Sequence, residues 1–149
     1  MLTFDLLESV LRYAGTDLMG LRDRALMLVP FSGAFRRAEL AALTVDDVRV
    51  ETRGAAVTLR RSKTDQEGEG RVVALPRQGR SSCCPVAALE TWPAQAGITD
   101  DPVFRTFSMH GDLTRNAIGG RDVARIVQRL VAAAGLDGDL RHIVFARVS

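Results

Sequence analysis

A change of pattern over residues 48–75 limits the fold of this chain more than any other feature of its sequence. Three stretches, 48–51, 55–60 and 71–75, are rich in β-branched residues, and Arg53-Gly54 between the first two is typical of a tight turn. The polar connection 64–70 contains two glycines, as a mobile hairpin loop would, and Pro76 should end the last strand. The pattern predicts a three-stranded antiparallel sheet.

Helical patterns precede this sheet. Residues 6–13 have helical spacing, and a loop around Gly15 and Thr16 separates them from a stronger helix that should open at Gly20. Pro30 should kink or end this second helix, and a short helix over 36–43 and a turn over 44–47 should follow. One face of the second helix is apolar, which predicts a core-facing helix. The residues on this face are Leu21, Ala25, Leu28 and Val29, and the charged residues Arg22, Asp23 and Arg24 do not lie on it.

Helical patterns also follow the sheet. A helix over 85–92 begins with a proline that suits a first turn, and Pro93 should stop it before a loop over 97–102. The strongest helical pattern covers 121–134, with Gly135 placed as a C-terminal cap and an apolar stripe of Val123, Ile126, Val127, Leu130, Val131 and Ala134. Its opposite face carries Arg121, Arg125 and Arg129, which could follow a phosphate backbone, although a solvated face is the favoured interpretation.

These elements predict an α+β fold, mainly helical, with helices around a small three-stranded antiparallel sheet, in one domain of 149 residues. The content of 46% hydrophobic and 26% charged residues excludes a disordered or fibrous chain. A net charge of +2 permits an anionic partner without identifying one. With no signal-peptide pattern and no apolar run long enough to span a bilayer, we expect a cytoplasmic protein without a membrane partner.

The two cysteines, Cys83 and Cys84, are adjacent in the sequence. Adjacent positions disfavour a disulfide between them and do not fit the spaced pattern of zinc ligands. We therefore expect two reduced thiols, no metal and no cofactor.

Four segments carry a resemblance to a known family. They are GLRDRAL at 20–26, SGAFRRAEL at 32–40, RRSKTDQEG at 60–68 and the segment from Cys84 to Leu89 that begins CPV. In this order and at this separation they resemble the catalytic domain of the tyrosine recombinases, or phage integrases, over about residues 20–136. Arg36 and Glu39 match the family's Arg-x-x-Glu box, and Lys63 lies where the family has its catalytic lysine.

The resemblance implies site-specific recombination or integration of double-stranded DNA, with other recombinase protomers as partners and no small-molecule substrate. Arg36 would present a planar fork of donors to the scissile phosphate, and Lys63 would donate a proton to the departing 5′ oxygen. Glu39 would support the box without reacting. Without the motifs, each of these three would be an ordinary exposed or helical residue. The further basic residues expected to contact DNA are Arg37, Arg60 and Arg61.

The chain departs from the family pattern near its end. The only tyrosine is Tyr13, ahead of the first box, so no nucleophilic tyrosine is assigned. The family's His-x-x-Arg box should follow Gly135, but the sequence after His142 lacks the arginine. Bases that can encode residues 143–149, preceded by a final C in the His142 codon, give His-Ser-Leu-Arg when read one base out of register, which suggests a frameshift. We therefore expect a truncated domain with a lead-in helix at 1–19, a recombinase-like core at 20–136 and an out-of-frame tail at 137–149.

Three functions stay open at this stage. The first is a recombinase fragment that is inactive by itself, and the second is a noncatalytic DNA-binding module that retains the recombinase fold. The third is a basic helical domain unrelated to recombination. The first predicts no cleavage and poor folding, and the second predicts stable, salt-sensitive DNA binding. A monodisperse protein without DNA affinity at low salt would leave the third.

Overall fold

In the part of the chain that the computed structural model describes, five α-helices surround two small antiparallel sheets. The described residues are 4–32, 35–59, 70–79 and 83–135. The elements in chain order are α1 (Phe4–Leu11), α2 (Leu18–Ser32), α3 (Arg37–Ala42), β1 (Val48–Val50), β2 (Gly54–Leu59), β3 (Arg71–Pro76), α4 (Pro85–Ala96), β4 (Arg105–Phe107), β5 (Leu113–Ala117) and α5 (Gly120–Ala133), with 3₁₀ turns at Arg12–Ala14 and Val45–Asp47. The predicted α+β class, mainly helical around a three-stranded antiparallel sheet, is confirmed.

The larger sheet has the order β1-β2-β3, with β2 in the centre. Along β2 the buried side chains alternate, and Ala55, Val57 and Leu59 point into the core, as expected for a strand with one solvated face. The pairing of β2 with β3 ends at Leu59 opposite Arg71. The connection between these two residues, 60–69, carries Lys63 and lies outside the described residues.

Helix α2 faces the core, as predicted, but it is buried more widely than its apolar face alone implies. Every residue from Ala25 to Pro30 is buried, and so are Arg22 and Asp23. Helix α2 packs against both α4 and α5, which accounts for burial beyond its apolar face. Charged residues in the buried part of a helix need partners of opposite charge, and Asp23 pairs with both Arg22 and Arg129.

The two ends of α2 also differ from the sequence prediction. The helix begins at Leu18, because the Asp17 side chain caps it: Oδ1 accepts a hydrogen bond from the Gly20 N–H at 2.9 Å. It continues to Ser32, two residues past Pro30, so this proline does not end it.

Helix α4 likewise runs through its proline. It begins at Pro85 as predicted but extends to Ala96, with Pro93 inside, so the prediction that Pro93 stops the helix is wrong. A proline removes one backbone donor, and the surrounding turns can continue when tertiary packing supports them. The helix ends where Gly97 adopts a left-handed conformation at φ 70°.

The β4–β5 hairpin was not predicted, because its strands are short and polar and lack a β-branched run. The pairing joins Arg105 to Ala117 and Phe107 to Leu113. By contrast, α5 matches its prediction closely: its apolar stripe is buried, and Gly135 just beyond it has a positive φ of 73°. Both cysteines are buried, and neither forms a disulfide. No helix within the described ranges is long and apolar enough to cross a membrane.

Candidate active site

Arg36 lies at the N-terminus of α3 and points outward. Its backbone is extended, at φ −85° and ψ 152°, and its carbonyl oxygen accepts the N–H groups of Glu39 and Leu40 at 3.0 and 3.1 Å. Its own N–H donates to Glu39 Oε1 at 2.7 Å. The side chain is exposed, and no ion pair among the described residues engages its guanidinium. The backbone of Arg36 is therefore restrained while its charge remains accessible to an anion.

Glu39 joins α3 to the sheet. Its carboxylate accepts two hydrogen bonds from Arg71 on β3, Oε2 from Nη1 at 2.9 Å and Oε1 from Nη2 at 3.1 Å, in addition to the bond from the Arg36 N–H. The Glu39 side chain is 16% exposed and that of Arg71 is 44% exposed. The supporting role that the motif implies for Glu39 stays a prediction. Arg71 was not singled out from the sequence, because nothing in the local pattern marks its partner.

Three of the predicted site residues, Lys63, Arg60 and Arg61, fall within 60–69 and so lie outside the described residues. Arg37, the fourth basic candidate, is exposed on the first turn of α3. The N-terminus of α5 packs beside it: a Cβ added to Gly120 would lie 3.7 Å from the Arg37 Cβ and from the Ala38 N. Arg121, the next residue of α5, is exposed and has no ion-pair partner among the described residues. The structure thus places the start of α5 against the start of α3.

The three arginines on α5 have different surroundings. Arg129 Nη2 binds Asp23 Oδ2 at 2.6 Å, and Arg125 pairs with Asp122 within the helix at 3.6 Å. Arg121 alone of the three is unpaired within the described part of the chain. These three residues therefore do not form a single stripe that could follow a phosphate backbone, because Arg129 neutralises the buried carboxylate of Asp23.

The buried partner of Arg129, Asp23, is part of a charge cluster in the core. Arg22 donates from Nε to Asp23 Oδ1 at 2.9 Å and from Nη1 to the Arg105 carbonyl at 3.1 Å, and its Cζ lies 5.0 Å from the centre of the Phe107 ring. Burial raises the pKa of the Asp23 carboxyl above its ordinary value, against the lowering effect of Arg22 and Arg129. Arg22 and Asp23 are 6% and 0% exposed, so this cluster supports the core and is not available to a ligand.

Tyr13 lies in the 3₁₀ turn after α1 and is 56% exposed. Among the residues described, no group of three His, Cys, Asp or Glu side chains is arranged to hold a metal ion.

Comparison with known proteins decides the family. The sequence profile described as "Phage integrase family" matches residues 1–147. The chain belongs to the phage integrase family. The match extends beyond 20–136 at both ends, and the interpretation of 137–149 as an out-of-frame tail stays a prediction. A relative in Selenomonas ruminantium, an integrase/recombinase xerD homolog, is 37% identical over 123 residues, which are 83% of this chain and 36% of the relative. The chain thus spans about a third of the length of that relative.

Solved recombinase structures show the same fold. XerA recombinase superposes with a TM-score of 0.68 at 20% identity, over 97% of this chain and 47% of that protein. The site-specific recombinase XerH, solved bound to its difH substrate in a pre-cleavage complex, superposes with a TM-score of 0.64 at 18% identity, over 97% of this chain and 41% of that one. The predicted resemblance to the tyrosine recombinase catalytic domain is confirmed.

Proposed function

We propose that this chain contributes part of the active site of a DNA site-specific recombinase of the integrase type. The observation that carries the proposal is the state of Arg36: its backbone is bonded to Glu39 while its guanidinium is exposed and unpaired within the described ranges. Strand cleavage passes through a transition state with extra negative charge on the phosphate oxygens, and a restrained cation lowers that barrier. A guanidinium suits two non-bridging oxygens because it offers parallel donors.

Lys63 supplies the proton-transfer step of the same proposal. An ammonium group can protonate the 5′ oxygen as it leaves, which a guanidinium does poorly because its pKa is too high. Lys63 belongs to the connection between β2 and β3, and β3 is bound to the Arg36 box through Arg71 and Glu39. This link supports a common site for the two cations.

Double-stranded DNA is the proposed partner, together with other recombinase protomers assembled on it. The XerH comparison supports this partner because that recombinase was solved on its DNA substrate. Arg37 and Arg121, adjacent through Gly120, are proposed to bind flanking phosphates, as are Arg60 and Arg61. The alternative, a noncatalytic DNA-binding module, is supported by one observation: the only tyrosine, Tyr13, precedes the Arg36 box in the sequence.

Salt-dependent DNA binding by the 149-residue chain tests the proposal. Fluorescence anisotropy with a labelled duplex should give a log affinity that falls linearly with log salt, by about 0.9 for each neutralised phosphate. Arg36→Ala should reduce that slope by about one. Arg115→Ala is the matched control, because Arg115 is 71% exposed but already pairs with Asp100 and Asp101. Equal slopes for the wild type and Arg36→Ala would refute the phosphate contact.

A further inference from the structure

The carboxylate of Glu39 that pairs with Arg71 also binds the backbone of Arg36. Glu39 accepts hydrogen bonds from both Nη groups of Arg71, Nη1 at Oε2 and Nη2 at Oε1. Its Oε1 atom also accepts the backbone N–H of Arg36. Three donors therefore converge on one carboxylate that is 16% exposed. Bidentate arginine–carboxylate pairs fix the orientation of both partners more strongly than a single hydrogen bond does.

The consequence for Arg36 follows from the flexibility of glutamate. A free Glu39 side chain has several rotamers, and only some of them bring Oε1 to the Arg36 N–H. Arg71 selects one of these by binding both oxygens. The N–H bond then restrains the backbone from which the Arg36 side chain extends, just ahead of α3.

The position of Arg71 in the sheet adds a second connection. Arg71 is the first residue of β3 and pairs with Leu59, the last residue of β2, so it marks the base of the connection that carries Lys63. One carboxylate thus joins this base to the backbone of Arg36.

We propose that Arg71 is a positioning residue of the recombinase site, which acts through Glu39 to orient Arg36 and to hold the base of the β2–β3 connection against α3. This inference rests on the proposed function. It differs from two simpler roles for an arginine that is 44% exposed. A surface ion pair would add only a little stability, and a direct phosphate contact would add its own charge to DNA binding.

The chain offers a matched control at the other end of the same strand. Arg77 directly follows β3 and pairs with Glu90 of α4, Nη1 to Oε1, at 2.8 Å. Its side chain is 35% exposed and that of Glu90 is 45% exposed. Arg77 therefore also joins the end of a strand to a helix through a glutamate, but among the described residues Glu90 makes no hydrogen bond or ion pair with the Arg36 box.

The experiment is a double-mutant cycle on DNA affinity. Arg71→Ala should weaken binding about threefold to tenfold when Arg36 is present and change it little in the Arg36→Ala background, since coupled residues show such interaction energies. Arg36→Ala keeps its backbone N–H, so the Glu39 bond survives in that background. Arg77→Ala should show no coupling to Arg36.

Arg71→Lys separates positioning from charge. A lysine keeps the positive charge but cannot bind both carboxylate oxygens as a fork. If Arg71 positions Arg36, Arg71→Lys should lose affinity as Arg71→Ala does, and the Arg36 amide should exchange faster with deuterium in both variants but not in Arg77→Ala. If Arg71→Lys binds as the wild type does, or if the losses from Arg71→Ala and Arg36→Ala are additive, the positioning role is wrong while the proposed function stands. If the wild type shows no salt-dependent binding, or Arg36→Ala has no effect, both proposals are overturned.

Discussion

Removal of the Asp23 carboxylate should destabilise this protein more than the loss of any exposed charge. In Asp23→Ala, the Arg22 side chain, 7% exposed, would keep only its bond to the Arg105 carbonyl and would become a buried charge without a counter-ion. Loss of one partner of a buried ion pair costs about 3–5 kcal/mol. Such a loss is a large share of the roughly 5–15 kcal/mol that stabilises a typical domain. Arg129→Ala should cost less, roughly 1–3 kcal/mol, because Arg22 continues to neutralise Asp23.

Urea unfolding followed by fluorescence measures this cost, because Trp92 is the only tryptophan and is fully buried. With a denaturant slope of about 2 kcal/mol per molar, Asp23→Ala should lower the urea midpoint by about 1.5–2.5 M. The control is Glu51→Ala, which removes a pair with Arg49 whose side chains are 63% and 83% exposed. It should shift the midpoint by less than about 0.5 M. A shift for Asp23→Ala as small as that for Glu51→Ala would refute the argument that burial makes this pair essential.

Two further outcomes follow from the structure. Glycine-to-alanine changes in a helix interior usually stabilise by about 1 kcal/mol. Gly20 lies in the first turn of α2, where a new Cβ would clash with the backbone carbonyl oxygens of Ala14 and Gly15, so Gly20→Ala should instead destabilise by about 1–3 kcal/mol in the same urea assay. A neutral or stabilising result would show that the close approach relaxes freely. The chain by itself should leave supercoiled plasmid DNA unrelaxed, because relaxation needs a nucleophile and Tyr13 is the only tyrosine. Relaxation that disappears in Tyr13→Phe would contradict the proposal that the chain alone is inactive.

Local patterns were sufficient to predict most elements of the fold. Stretches rich in β-branched residues and the Arg53-Gly54 turn predicted the three-stranded sheet, and the apolar stripe of α5 predicted that helix to within one residue at each end. The errors fell where packing outweighs a local rule. Pro30 and Pro93 both lie inside helices, since the packing of α2 against α4 stabilises turns that a proline would weaken in isolation.

The candidate site, like the fold, could be predicted from the sequence only in part. The sequence by itself determined which residue types are present and in what order, including the Arg36 box and the lysine after β2, because motifs of this kind are read within a short window. It could not tell a structural arginine from an accessible one. Arg129 binds a carboxylate 106 positions away and Arg71 binds one 32 positions away, whereas Arg36 and Arg121 have no ion-pair partner among the described residues. Only the tertiary structure decided this, because an ion pair depends on distance in space, and sequence spacing determines that distance only within a single helix or strand.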